Sequence, residues 1–560
     1  MSGKNTKIRL LVSLLVCFMS FSIFPQASAE PTRTTYTVTT TLDSGAGSLR
    51  QAINDANSSG GKDYIYFDIP TSALGCDTGA GICQINVSTI LPSLDDPNGV
   101  VIDGTTQPGY VSGQKPKIVV SGYGLPAPGS IFSISSGSNG NTIRGLSLGG
   151  VAADILTING DNNLIEKNEI RYSSTGNGIK INSSASGNFI YTNFIFGNHL
   201  DGIFLNSSSG NTIWRNGIGL LPNYYSPPND PNDGDGIQCI LCTNNEIKEN
   251  VISANLGSGI YFSAATNNLI QNNFIGLTAD GFDDLGNGVH GIRIENNSTE
   301  NNVFINLISG NTLDGIRLSG EGTTLNHIEK NWIGVGLAGA VPNGNHGIGI
   351  YDGAHHNYIG NFTIENRGNL IAANTWSGVV VVNSSTGSNY IYKNNIIANS
   401  FYGVHINNSF DNFIGSNFIA NNGMLTASPG VLVQGSASIS NAITMNSITD
   451  NGGLGIRLIE GGNASLAAPV ISYANCHTVT GTTCPNCFVQ VYSDDLDEGE
   501  IFEQFVMANE FGNFTYTDFG YGFRGPNITA IANDADGNYS QFSLPVVGAC
   551  QHYYLPVIFK

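Results

Sequence analysis

Five residues near the middle of this 560-residue sequence have the types and the spacing that polysaccharide chemistry needs: His290, Arg293, Asp314, Arg317 and His346. An imidazole or carboxylate held within hydrogen-bond reach of a sugar acts as acid or base. Two carboxylates across a glycosidic bond suffice for hydrolysis, and calcium with a basic residue for elimination. The loop NDPNDGD at 229–235 holds Asp230, Asp233 and Asp235 densely enough to suggest calcium, although it misses the EF-hand spacing. Tyr224, Tyr225 and Tyr261 offer ring faces on which a sugar can stack. Each group also has a plainer use, since an Asp or His ahead of a glycine fills turn backbone and a tyrosine packs a loop.

What must position these residues is a repeat. The phrase Asn-x-Ile comes in pairs, at Asn163 and Asn168, Asn188 and Asn193, Asn268 and Asn273, and onward to Asn441 and Asn446. A second phrase, Gly-aliphatic-x-aliphatic, follows: GIKI from 178, GIFL from 202, GIRI from 291, GIRL from 315. The apolar runs are three to five residues long and alternate in and out, which is strand periodicity and too short for helices. Asn and Gly punctuate them, and both tolerate a left-handed turn. A unit of 22 to 25 residues cannot bury its own apolar side, so it stacks on a copy of itself roughly 4.8 Å away.

The expected fold is therefore all-β: a right-handed parallel β-helix of about twelve coils between Asn141 and Asn441, with isoleucines stacked inside and turn asparagines bonded as a ladder. Intervals of 31 to 34 residues mark loops inserted at 219–234, 276–288 and 334–345, which would wall a groove beside the second phrase. There the residue between the aliphatics faces out, so Lys180, Phe204, Gln238, Tyr261, Arg293 and Arg317 should form one column, continued by Gly349, Val380 and His405. The residues before the glycine, Asp201, Asp235, Ser258, His290, Asp314 and His346, should form a second.

The segments IDGTTQPGY at 102–110 and GSLRQAI at 47–53, with the repeat and its I-G-x-x-x-x-G loops at 275–281 and 333–339, resemble secreted bacterial right-handed β-helix repeat proteins of the pectate-lyase-like fold. The stretch from Gly47 to Asn57 is similar to that family's CSLREA-type N-terminal motif, without its cysteine. The resemblance spans most of residues 35–460 and implies the architecture; it implies no particular activity. GVHG at 288–291 matches the G-H-G of polygalacturonases only loosely, and their paired aspartates followed by R-x-K are absent, as are the W-x-D-H and R-x-P-x-x-R of pectate lyases.

Lys4, Lys7 and Arg9 flank the start of an apolar stretch from Ile8 to Phe24, and Ala27-Ser28-Ala29 follows, so residues 1–29 read as a secretory signal peptide. No other apolar run is long enough to span a bilayer once it is removed. Its loss takes the formal charge from −20 to −23, which argues against nucleic acid and anionic membrane as partners. Eight cysteines then remain, an even number in an oxidising compartment, and this favours bridges over zinc for the two C-x-x-C pairs.

Residues 30–98 read as an N-terminal cap and first strands, with Leu49, Ala52, Ile53 and Ala56 on one face of a short helix over the open end. The β-helix occupies 99–465, a small immunoglobulin-like β-sandwich 466–547, and a tail 548–560. Two functions fit this organisation. One is a secreted or cell-surface rod that binds carbohydrate or mediates adhesion, with a polysaccharide or cell-surface glycan as partner. The other is a polysaccharide lyase or glycoside hydrolase working in the groove, with calcium as the one cofactor suggested. Fold does not choose between them, and the lack of a recognisable catalytic set favours the first.

Overall fold

Stacking the repeat gives each coil three short strands, one on each of three faces. The computed structural model describes residues 33–548 apart from 124, 126–128, 223–226, 228–229 and 362–366. The apolar N-terminal stretch, Tyr224, Tyr225 and the tail from residue 549 onward lie outside the described residues. Among the described residues the three faces hold 15, 15 and 13 strands. All pair in parallel except one hairpin, Cys76–Asp77 against Ile82–Asn86, where Cys76 and Cys83 are disulfide-bridged. The chain is a right-handed parallel β-helix. The first face carries the first Asn-x-Ile phrase, as in Phe189–Tyr191, the second face the next, as in Phe194–Phe196, and the third face the Gly-Ile phrase, as in Ile203–Asn206. Twelve first-face strands run from Thr142–Arg144 to Ala442–Thr444, the twelve coils read from the asparagines. Three earlier ones, Thr35–Val38, Asp63–Phe67 and Val100–Asp103, extend the stack without the phrase.

Register explains the isoleucines. Ile165, Ile190, Ile213 and Ile247 are direct partners in successive coils, and each is fully buried. Each such side chain contributes about 1.5–3 kcal/mol by leaving water. The glycine of the third phrase is fixed by crowding: a Cβ on Gly259 would lie 2.7 Å from the Gly291 carbonyl oxygen and 2.7 Å from Ile275 Cγ2.

The asparagines form ladders at all three corners. Asn250 donates its backbone N–H and its Nδ2 to Asn273 Oδ1, at 2.9 and 3.0 Å, and Asn273 repeats both bonds to Asn306. The third ladder, through Asn255, Asn287, Asn311 and Asn343, was not anticipated from the paired phrases. These asparagines are not themselves the left-handed residues. At the corner between the first two faces that conformation falls on the residue just before the ladder asparagine, as in Lys167, Thr192, Arg215 and Glu249, whose side chains lie on the outside of the turn.

Both ends are covered. The helix Leu49–Ser58, capped by Ser48 Oγ accepting from the Gln51 N–H, buries Leu49, Ala52, Ile53 and Ala56 against the first strands. At the other end two small antiparallel sheets enclose their own core around Val479, Val489, Val491 and Phe514. That unit also closes the solenoid: Gln490 Oε1 accepts the Met445 N–H, Glu498 Oε2 the Asn451 N–H and Asn538 Oδ1 the Ser440 N–H, at 3.0, 2.9 and 2.8 Å. Glu498 stands where the third ladder's next asparagine would, whereas Gln490 and Asn538 take amides that in other coils bond the next coil's backbone carbonyls. The C-x-x-C pairs Cys239–Cys242 and Cys484–Cys487 are bridged. Among the described residues no helix is long and apolar enough to cross a membrane.

Candidate functional site

The third face brings the expected outward column into register: Lys180, Phe204, Gln238, Tyr261, Arg293 and Arg317 are successive partners, followed by Gly349. The column's chemistry lies in its arginines. Arg293 Nη2 meets Glu295 Oε2 at 2.6 Å and Arg317 Nε meets Glu295 Oε1 at 3.1 Å, so one largely buried carboxylate ties both guanidiniums. Each cation also sits over a ring, Arg293 at 4.5 Å from the Tyr261 centroid and Arg317 at 4.3 Å from that of Tyr351. A Cβ on Gly349 would collide with the Tyr351 ring, so the missing side chain is what lets that ring lie flat on the face. Asp352 completes the cluster 3.4 Å from Arg317 Nη2.

The column before the glycine converges too, but inward. His290 and Asp314 are 6% and 1% exposed. His290 Nδ1 accepts the Asp314 backbone N–H at 3.2 Å, Asp314 Oδ1 accepts the His346 N–H at 3.1 Å, and His346 Nδ1 accepts the Ser377 N–H at 3.2 Å. The earlier coils do the same: Asp201 Oδ1 takes the Asp235 N–H and Asp235 Oδ1 the Ser258 N–H, at 2.7 and 2.6 Å. Nδ1 of His and Oδ1 of Asp or Asn are both bonded to Cγ, so the three residue types reach the next coil's amide equally well. Ser258 is one bond too short, and its Oγ is buried without a partner.

These contacts decide protonation. Because Nδ1 of His290 is an acceptor, its neutral ring carries the proton on Nε2, and the Asp314 Oδ2 lying 3.5 Å from Nδ1 receives nothing from it. Burial, with the Arg317 and Arg293 charges, holds the His290 pKa down to about 4, and burial holds His346 at about 4. Burial pushes Asp314 up to about 6 even though Asn345 Nδ2, Tyr351 Oη and the His346 N–H all donate to it. Burial, with Asp235 beside it, raises Asp201 to about 7. The pair His290 and Asp314 thus has shifted pKa values and close geometry, and yet almost no surface a substrate can touch.

The other expected site residues separate. Asp235 belongs to the amide ladder, whereas Asp230 and Asp233 line a cleft on the corner between the second and third faces, with Asp233 Oδ2 3.1 Å from His199 Nδ1. Among the described residues no three His, Cys, Asp or Glu side chains come together in a way that could hold a metal ion. Two of the inserted loops meet where the Leu337 N–H bonds the Gly281 carbonyl oxygen at 2.8 Å.

A protein-family model described as periplasmic copper-binding protein (NosD) matches residues 128–280. Those residues contain one histidine, His199, no methionine, and two cysteines bridged to each other, a donor set that does not fit copper. No curated protein matches the chain. Among solved structures it is similar to a mannuronan C-5 epimerase A-module of Azotobacter vinelandii, with 14% identity over 77% of this chain and 92% of that one and a TM-score of 0.35. It is similar to the Dettilon tailspike protein, with 13% identity over 90% and 88% and a TM-score of 0.37. It is also similar to PfbA, a surface adhesin of Streptococcus pneumoniae, with 11% identity over 84% and 94% and a TM-score of 0.37. At these identities and scores the likenesses carry no argument about activity.

Sequence reasoning missed Glu295, Tyr351 and Asp352. A signal for the first was present, since the residue after the second aliphatic of GIRI is also outward and lies beside two arginines in register. Tyr351 stands at the same outward position of its own coil, but that its ring lies over the bare Gly349 beside Arg317 had no signal in the phrase.

Proposed function

We propose that this chain is an exported glycan-binding β-helix whose saccharide partner lies along the third face, parallel to the helix axis. The observation that carries the reading is that the imidazoles and carboxylate best suited to acid–base work are buried acceptors for backbone amides, whereas the cations and rings stand outward on the third face. Coils follow one another at about 4.8 Å, so a polymer running along the axis meets a new outward residue at each step. Lys180, Phe204, Gln238, Tyr261, Arg293 and Arg317 would each take one position, with rings stacking on sugar faces and cations holding hydroxyl or carboxylate oxygens.

The test is retention of the mature protein on immobilised neutral and acidic polysaccharides, with reducing ends and unsaturated-product absorbance followed alongside, with and without calcium. Binding without turnover, weakened at least tenfold in Arg293→Ala and Arg317→Ala with unfolding midpoints unchanged, is the expected result. Turnover that disappears in Asp314→Asn would replace this reading with a polysaccharide-active enzyme.

A further inference from the structure

The cleft that receives Asp230 and Asp233 holds a residue that local backbone preference argues against. Tyr172 has φ 65°, in the left-handed region. It occupies the position just before the third corner's ladder residue, where Gly197, Ala254, Gly310, Ala373, Ala398, Asn421 and Asp450 stand in other coils, all left-handed and none of them aromatic. A bulky side chain in that conformation costs about 1–2 kcal/mol relative to the right-handed regions, a cost glycine escapes. No backbone role requires the ring, since glycine and alanine serve elsewhere.

The ring's surroundings point to a ligand. Tyr172 lies over Gly197, where a Cβ would fall 2.7 Å from the ring, and Phe196 meets it edge-on at 6.0 Å. One position further along the chain and two coils earlier, Tyr123 lies in the same way over Gly150, 75% exposed. Two tyrosines thus flank a cleft of about 520 Å³ that runs along the axis to the His199–Asp233 pair and Asp230. Coil spacing puts the rings about 10 Å apart along the axis. Apolar ring faces at two points with carboxylates and an imidazole at the end is a lining that takes pyranose rings and their hydroxyls. The cation beside it, Arg171, lies 4.8 Å from the Tyr172 centroid and is ion-paired with Glu169, so the free charge at the cleft is that of its two aspartates, which would repel a uronate.

We infer that this cleft is a second saccharide site, selective for a neutral oligosaccharide that stacks on Tyr123 and Tyr172 and gives hydroxyl hydrogen bonds to Asp230 and Asp233. It does not depend on the third-face reading, because residues and charge preference both differ.

The experiment uses the full mature chain and a set of neutral tri- to hexasaccharides of glucose, xylose, mannose and galactose, with binding read by saturation-transfer NMR and calorimetry. At least one should bind, and an excess of any acidic polysaccharide retained by the protein should leave that binding unchanged. Tyr172→Gly relieves the left-handed strain, so it should fold with an unfolding midpoint equal to or above that of the parent while binding falls at least tenfold. Asp233→Asn should weaken binding by a smaller factor. Absence of binding across the set, or full binding by Tyr172→Gly, would overturn the inference. Lost stability with retained binding would also overturn it, and would assign Tyr172 to corner packing.

Discussion

Two kinds of ladder run along this solenoid and do almost the same thing with different residues. The corner asparagines are nearly invariant from coil to coil, whereas the column before the glycine reads Asn177, Asp201, Asp235, Ser258, His290, Asp314, His346. The difference lies in what each must do. Asn273 Oδ1 accepts two bonds from Asn250, and its Nδ2 donates to Asn306 Oδ1 and the Ile247 carbonyl oxygen, so only a carboxamide serves. A residue before the glycine need only accept one amide, and Asn, Asp and His all do. Residue types that look like acid–base chemistry arise there from freedom within an acceptor-only role.

The largest effect should come from breaking the stricter ladder. Asn273→Ala leaves the Asn250 N–H, the Ile247 carbonyl and two neighbouring carboxamides short of partners in a dry interior, each worth about 1–3 kcal/mol. A loss of about 4 kcal/mol or more is expected, read as a shift in the urea midpoint or as failure to accumulate folded protein. An equal and small loss from Asn273→Ala and Asp314→Ala would abolish the distinction between the ladders.

Asp314→Asn sharpens it. Asparagine keeps the acceptor for the His346 N–H, so the fold should survive. The folded pKa of Asp314, about 6, lies above the unfolded value near 3.9, so the folded state binds the proton more tightly. Its carboxylate therefore costs stability progressively as pH rises from about 4, and in full above about 6. The variant should match the parent near pH 4 and exceed it by about 2 kcal/mol at pH 8, measured as paired denaturant midpoints. A deficit at pH 8 would mean that the charge is needed there.

The repeat made the fold legible, because a parallel stack places the same position of every coil in one line and the hydrophobic period says which positions face in. The outward column followed from the same rule, and Arg293 and Arg317 stand where it puts them, whereas Val380, expected to face out in the same column, is buried. The third ladder was equally open to reading: an asparagine lies four residues before the glycine at 202, 236, 259, 291, 315, 347, 378 and 403. What the rule does not reach is the direction of a hydrogen bond. That His290 accepts an amide, and is not poised to take a proton from a substrate, depends on the next coil's backbone. Nor does it reach a ring such as Tyr172, whose meaning comes from being the one aromatic residue among the left-handed positions of a corner that otherwise takes Gly, Ala, Asn or Asp.

The smallest effect tests whether a histidine in the permissive ladder is anything more than an acceptor. His346→Asn keeps an oxygen at the Cγ-bonded position to take the Ser377 N–H, so at pH 7.5 the change should stay within about 1 kcal/mol. The folded pKa of His346, about 4, lies below the unfolded value near 6.5, so the stability tied to the neutral ring is complete above pH 6.5 and is lost as pH falls toward 4. At pH 5 that loss amounts to about 2 kcal/mol in the parent and vanishes in the variant, so the two stability curves should cross between pH 5 and 7.5. Parallel curves would mean that the folded ring takes up a proton as readily as the unfolded one, which an Nδ1 engaged as acceptor for the Ser377 amide would resist. His346 would then leave the ladder and return to the set of groups available for chemistry.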